Sequence, residues 1–325
     1  TSSIELFSKA DVIIVDINFD VNLMALDPKV DFSPLKKAIN AIGAKMRSEA
    51  LVIVETTVPP GTTSEIIYPY LINLLKNRFP ELSDVNLAHS YERVMPGKEY
   101  FKSITDFWRV YAGMNPIASE KCKSFLETII NTKKFPLRAL KSTTASETAK
   151  VLENSYRAAN IAFINEWGLF AESIGIDLFE VLEAIRLRPT HSNIRQPGLG
   201  VGGYCLTKDP LMGIVSCKQI FNASPTKFEV SKNAVEINHR MPKNTLELIK
   251  KAYKEYDEKL LSDNLEIILT RDFNNRSRDD AWILASSAGT ELSKPDGPKV
   301  AVFDVDGFDT HAAQGATDGA HADCL

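Results

Sequence analysis

Residues Gly198 to Asp209, read Gly-Leu-Gly-Val-Gly-Gly-Tyr-Cys-Leu-Thr-Lys-Asp, place four glycines before one cysteine, with Lys208 and Asp209 directly behind it. Glycine lets a backbone approach a ligand closely and adopt positive φ without steric cost. A thiol on such a loop is open to a substrate, and a cationic neighbour such as Lys208 would favour its nucleophilic thiolate. The competing account is a glycine-rich turn around a small buried cysteine, a common place for that residue type. A second group is Lys150, Asn154 and Arg157, spaced i, i+4 and i+7, so that they share one face of a helix. They suit one wall of an active site, or the solvated face of an amphipathic helix. Arg186, Arg188, His191 and Arg195 form a basic approach to Cys205 that suits phosphate, or an ordinary basic loop.

The elements that must position these groups read as α/β. Ala10–Val15 and Leu51–Thr57 are β-branched apolar runs of the kind that form buried parallel strands. Between them residues 32–50 carry Leu35, Ile39, Ile42 and Met46 near helical spacing, which makes a strand-helix-strand unit of a doubly wound sheet. Ser64–Lys76 reads as a helix, and Leu87–Ser90 and Trp108–Ala112 as further strands. Thr56, Thr57 and the segment Ser90–Arg93 fall at carboxyl ends of strands, where such sheets bind ligands, although turns and caps use the same residue types. Ser146–Ser173 is the clearest helix. Leu152, Tyr156, Ala159, Phe163, Trp167 and Phe170 form an apolar stripe on the side opposite Lys150 and Asn154. Its length suits a bridge between domains or a dimer interface. Leu178–Arg186, Ser231–Arg240 and Asn244–Tyr256 read as further helices.

The formal net charge of −4 disfavours nucleic acid or an anionic membrane as the main partner. Cys122, Cys205, Cys217 and Cys324 form no CxxC pair and no metal-ligand spacing, which points to reduced thiols in a cytoplasmic protein without a metal. No apolar run reaches the length of a membrane-spanning helix. The expected architecture is an incomplete, partial doubly wound (Rossmann-like) parallel sheet over residues 1–125, then a helical middle domain over 126–243 with a long central helix and the cysteine loop, then a divergent α/β C-terminal segment over 244–325. In that segment Leu265–Arg271 and Lys299–Asp304 read as strands. Asp304, Asp306, Asp309 and His311 are candidate metal ligands or a polar, loosely ordered end.

Four motifs in order carry a resemblance: Glu55–Thr62 (Glu-Thr-Thr-Val-Pro-Pro-Gly-Thr), Ser90–Gly97 (Ser-Tyr-Glu-Arg-Val-Met-Pro-Gly), Ser146–Lys150 with Glu153–Arg157 and Asn165-Glu166, and the glycine loop ending Cys205–Asp209. Together they resemble the UDP-glucose/GDP-mannose dehydrogenases, the nucleotide-sugar 6-dehydrogenases. The resemblance implies that Cys205 is the catalytic nucleophile and that Asp209 helps position or activate water. It implies that Lys150 and Asn154 stabilise the developing oxyanion, that Thr57 holds water or a substrate hydroxyl, and that Glu92 is an active-site glutamate. Pro96 stands where part of the family has a second glutamate. Arg93, Arg195, Gly198, Gly200, Gly202 and Gly203 are implied at the substrate, and Thr57, Glu92 and Lys208 at the cofactor.

The implied chemistry is a four-electron oxidation of the C6 alcohol of UDP-glucose or a UDP-N-acetylhexosamine to the uronate, with NAD as cofactor and Cys205 holding a thiohemiacetal and then a thioester, for polysaccharide precursors. Ser192–Gly198 resembles the N-acetylhexosamine branch. A homodimer through the 146–173 helix is implied as well. Two departures set further expectations. The glycine fingerprint of dinucleotide folds is missing ahead of the first strand, so the chain is expected to bind NAD poorly and to be nearly inactive alone. The family's nucleotide-gripping C-terminal domain is not recognisable after about residue 256. A non-catalytic nucleotide-sugar-binding or dimerising remnant is the alternative function.

Overall fold

The computed structural model describes residues 4–21, 28–94, 99–201, 203–223 and 226–256, with only the backbone for the last five. The strand and metal-ligand readings placed beyond residue 256, and the positions Pro96 and Gly202, lie outside the described residues. Two compact units divide the chain. One joins residues up to 156 with 208–231, and the other joins 157–207 with the residues from 232 onward.

The first unit is built on a sheet of five strands among the described residues, in the order β1 (Val12–Val15), β2 (Leu51–Val54), β3 (Leu87–His89), β4 (Val110–Gly113), β5 (Arg138–Ala139). β1, β2 and β3 run parallel, with Val15 opposite Val54 and Val54 opposite His89 at their carboxyl ends. β4 runs antiparallel to β3, and β5 parallel to β4. The expected parallel sheet is therefore present with one reversed junction. All four residues of β2 are buried, as in a strand covered on both faces. Alternation turns Leu51 and Ile53 into one core with Ala88, Tyr111 and the helix α4 (Pro116–Glu127), which contributes Ala118, Cys122 and Leu126. Asn115 opens α4 as a side-chain cap, accepting the Ala118 N–H at 2.8 Å.

The crossover helices α1 (Ser33–Lys45) and α2 (Tyr68–Arg78) pack on each other, with Leu35, Ile39, Leu71 and Leu75 fully buried. The last carbonyls of α1 lack intrahelical donors. Arg78 supplies them, donating to the Gly43 and Met46 oxygens at 2.6 and 2.8 Å. Before α2 the chain makes a wide helical turn over Thr62–Ile67, so the helical stretch starts two residues earlier than its apolar spacing suggested. α3 (Tyr100–Thr105) is short.

The longest helix, α5 (Thr143–Ile174), has 32 residues, about 48 Å at the usual rise. Its burial decides between the two readings of its polar face. Leu152, Tyr156, Phe163, Trp167 and Phe170 are between 47% and 65% exposed, whereas Glu147, Lys150, Asn154 and Asn165 are buried. The aromatic stripe faces outward and the polar row inward, because the polar side chains find partners inside that the aromatic ones do not need.

In the second unit α5 packs with α8 (Glu229–Tyr256) and is followed in the chain by α6 (Leu178–Arg186), whereas α7 (Met212–Val215) belongs to the first unit. Ala158, Ile161, Ala162, Val201, Leu206 and Ala234 form the core of the second unit. The two helices expected over 231–240 and 244–256 are one, with Pro242 inside it. Proline has no N–H for the carbonyl four residues back, here Asn238. The helix continues through that gap, and the backbone of Gly200 lies against it. A Cβ on Gly200 would stand 2.8 Å from the Asn238 carbonyl oxygen and 3.1 Å from Pro242 Cδ.

Candidate active site

In the first unit, Glu147, Lys150 and Asn154 stand on the inward row of α5, three and four residues apart. Lys150 Nζ donates to the Glu92 carbonyl oxygen at 3.0 Å and lies 3.6 Å from the Glu92 carboxylate. Its ammonium also sits 5.6 Å from the centre of the Tyr91 ring. One turn along the helix, Asn154 Nδ2 donates to Asp209 Oδ2 at 2.7 Å, and Lys208 Nζ donates to Asp209 Oδ1 at 2.7 Å. Asp209 is fully buried and Lys208 nearly so. Lys208 is thus held by the carboxylate beside it in sequence. Lys150, Glu92, Asn154, Asp209 and Lys208, all predicted from sequence, fall on two adjacent turns of one helix and the segments facing it.

The Glu92 segment is fixed from both sides. Tyr91 donates its hydroxyl to Glu153 at 3.1 Å, and burial pushes that phenol up to about 12. Arg93, expected at the substrate, is engaged by Glu153, by the Tyr91 hydroxyl at 3.0 Å and by the Trp108 carbonyl at 2.7 Å. Thr57 is half-buried just past the carboxyl end of β2. Its neighbour Thr56 ties that end to the chain after β1 by donating to the Ile17 carbonyl at 2.9 Å.

Three buried groups escaped the sequence reading. His89, at the end of β3, sets Nδ1 2.8 Å from the Ser146 hydroxyl, and burial pulls its imidazole down to about 3, so it stays neutral. Arg109 is buried against Glu55 and Ser90, and burial lowers it to about 10. Glu147 accepts the Gly61 N–H at 2.6 Å and the Thr63 N–H at 2.8 Å, closing the start of the wide turn where Gly61 has φ +95°. The signal for Glu147 was its phase: it precedes Lys150 by three and Asn154 by seven. No local signal marked the other two.

Burial raises the Glu147 carboxyl to about 7 from an ordinary 4.5, the two N–H donors offsetting part of the rise. Between those values the folded chain holds a proton that the unfolded chain has released, so this group's stability contribution falls as pH rises. The span is worth up to roughly 3 kcal/mol. Glu147→Gln removes the titration but turns an N–H toward an N–H, at a cost of about 1–3 kcal/mol. Urea midpoints at pH 5 and pH 8 should show wild type ahead at the lower pH and its lead reduced or lost at the higher. A lead independent of pH would contradict a buried titrating carboxyl.

The second unit holds Cys205, half-buried on a series of turns. By contrast Cys122 is buried, and burial pushes its thiol up to about 12, which makes it inert. Gly203 and Gly200 have φ of +83° and +117°, where glycine is strongly favoured. A Cβ on Gly198 would meet nothing within 4 Å, so packing does not require that glycine. Arg195 gives its backbone N–H to Asn160 Oδ1 at 3.1 Å, and its side chain is half-buried. Arg186, read as part of a basic approach, donates to the Ile194 carbonyl at 2.6 and 3.0 Å and so shapes the loop itself.

Residues 1–130 match the NAD binding domain of the UDP-glucose/GDP-mannose dehydrogenase family, and residues 144–240 match its central domain. The chain belongs to this family. It is 33% identical over 247 residues to the UDP-N-acetyl-D-mannosamine dehydrogenase of Methanocaldococcus jannaschii, covering 76% of this chain and 52% of that one. It is 30% identical over 236 residues to the NDP-N-acetyl-D-galactosaminuronic acid dehydrogenase of Ralstonia nicotianae, covering 71% and 53%. Among solved structures, UDP-D-ManNAc dehydrogenase from Pyrococcus horikoshii superposes with a TM-score of 0.67 at 30% identity, covering 80% of this chain and 57% of that one. The chain spans about half the length of the curated relatives it matches.

NAD is the cofactor of this family's first domain, and the described residues fit part of it. The carboxyl ends of β1, β2 and β3 lie in register and lead to Thr57 and Glu92, the usual ligand-binding edge of such a sheet. The wide turn at Gly61–Thr63 has its N–H groups occupied by Glu147, so it offers no seat for a pyrophosphate. Among the described residues no helix is long and apolar enough to cross a membrane.

Proposed function

We propose that the protein oxidises the C6 alcohol of a nucleotide sugar to the uronate, with two NAD per sugar, and that a UDP-N-acetylhexosamine is the preferred substrate class over UDP-glucose. The observation that carries this reading is the inward polar row of α5. A helix that buries an ammonium and an amide while exposing its aromatic residues is organised for chemistry at that row. The names of the relatives support the N-acetylated sugar.

When bound, NAD would supply the acceptor for the hydride that leaves C6, and Thr57 and Glu92, beyond the carboxyl ends of β2 and β3, are the residues that would hold it. The proton of the C6 hydroxyl leaves to water. The Cys205 thiolate then adds to the aldehyde carbon, which retains a reactive intermediate and turns one difficult oxidation into two ordinary ones. An ammonium has three donors, and those not directed at Glu92 face the oxyanion formed in that addition. Asn154 offers its amide to the same oxygen, held in place by Asp209. A second hydride loss gives the thioester. Water attacks its carbonyl, its proton passes toward Asp209, and the thiolate leaves as the uronate forms. Lys208 acts through Asp209, whose carboxylate it holds by donating to Oδ1 at 2.7 Å. Arg195, Gly198, Gly200, Gly202 and Gly203 are the sugar contacts of this reading, and Arg93 sets the Glu92 segment through Glu153.

The exposed row Leu152, Tyr156, Phe163, Trp167 and Phe170 supports a homodimer through α5, in the cytoplasm, where the thiol stays reduced. The test is direct. The full-length protein with NAD and UDP-N-acetylmannosamine should yield NADH and uronate in a ratio of two to one, at a scattering mass of two chains. Nucleotide-sugar binding without NADH would reverse the reading in favour of a binding remnant, and a single-chain mass for the active enzyme would remove the dimer.

A further inference from the structure

We propose that Asn165 and Asn238 are positioning residues that set the glycine loop presenting Cys205. Asn165 is fully buried on α5. Its Oδ1 accepts the Gly198 N–H at 3.0 Å, and its Nδ2 donates to Asn238 Oδ1 at 3.3 Å. Asn238 is 4% exposed on α8 and donates its own Nδ2 to the Ala158 carbonyl at 3.0 Å. One amide chain thus runs from the loop through α5 to α8 and back to α5. Both side chains are committed to it, and neither is replaceable by an apolar residue of similar size without leaving buried partners unmet.

The backbone of Asn238 reinforces the same contact. Pro242 removes the helical donor to its carbonyl, and Gly200 lies against that carbonyl so closely that no Cβ fits. Glycine at 200, proline at 242 and asparagine at 165 and 238 are one arrangement. Upstream, Asn160 takes the Arg195 N–H at 3.1 Å and gives its amide to the Asn193 carbonyl at 3.2 Å. The loop is therefore bonded at 193, 195 and 198 by amide side chains of α5 and packed at 200 against α8, while Arg186 of α6 holds the Ile194 carbonyl between them. The catalytic part of this role rests on reading Cys205 as the reacting thiol; the positioning of the loop does not.

The experiment compares the full chain with Asn165→Ala, Asn238→Ala and the double variant. Hydrogen exchange of peptides spanning 193–201 should rise about tenfold at the Gly198 amide in Asn165→Ala. It should rise several-fold in Asn238→Ala, whose side chain does not bond the loop, and the double variant should equal Asn165→Ala because the links act in series. Helical amides of α5 and α8 should keep their protection. Iodoacetamide labelling of Cys205 relative to Cys217 should shift in the same order, and kcat should fall with the KM for NAD unchanged. Unchanged loop exchange, a rise spread evenly over α5, α6 and α8, or additive effects would overturn the proposal. If wild type shows no turnover, the dehydrogenase reading fails while exchange and labelling still decide this one. If Asn165→Ala does not fold, Asn238→Ala decides it alone, since alanine is the best helix former for that site.

Discussion

Cys205→Ala is expected to reduce uronate formation by on the order of 10³-fold or more. The first hydride leaves an alcohol carbon and needs no thiol. The second must leave a carbon that carries a sulfur or an oxygen adduct, and without Cys205 the aldehyde has only water to supply it. The variant should therefore release aldehyde, trapped as a hydrazone, with about one NADH per sugar instead of two. Cys122→Ala is the matched control. That thiol is buried in the core beneath β4 with its pKa pushed up to about 12, so its loss touches packing and leaves the product ratio unchanged. Separate assays for NADH and for uronate check both halves. Uronate formation by Cys205→Ala within tenfold of wild type would remove the covalent route.

The strands and the long helix were legible because burial on both faces selects β-branched runs and because a helix this long repeats its pattern many times. Which face of α5 is inside was not legible. Periodicity shows that the aromatic row and the row of Lys150 and Asn154 oppose each other, and by itself it leaves open which of them is inside. The choice is made by the partners of the polar row, which are Glu92, Asp209, Gly198 and Asn238, each far away in sequence. The motifs identified Lys150, Asn154 and Asp209 as a set, but not that Lys208 serves Asp209 directly. The uninterrupted course of α8 was hidden for a similar reason. Pro242 is a helix breaker locally, and the packing of Gly200 on the Asn238 carbonyl is a long-range fact.

Asp209→Ala should cost about 3–5 kcal/mol of stability, the range for breaking a buried ion pair by removing one partner. The carboxylate is fully buried, with Lys208 at 2.7 Å on one oxygen and Asn154 at 2.7 Å on the other. Its removal takes away the carboxylate to which the Lys208 ammonium, 4% exposed, donates. A loss of that size is a large part of the 5–15 kcal/mol that ordinary domains possess. The pair Lys208→Met and Asp209→Asn together should cost much less than the sum of the single changes, because both charges leave the interior at once. That double variant separates two functions of the aspartate. Its urea midpoint should return toward wild type while turnover stays low, since Asn154 then faces an amide in place of the carboxylate that orients it. A single Asp209→Ala cost below about 1 kcal/mol would show that the pair contributes little to the fold. Full turnover in the double variant would show that the charge at 209 serves the fold and not the reaction.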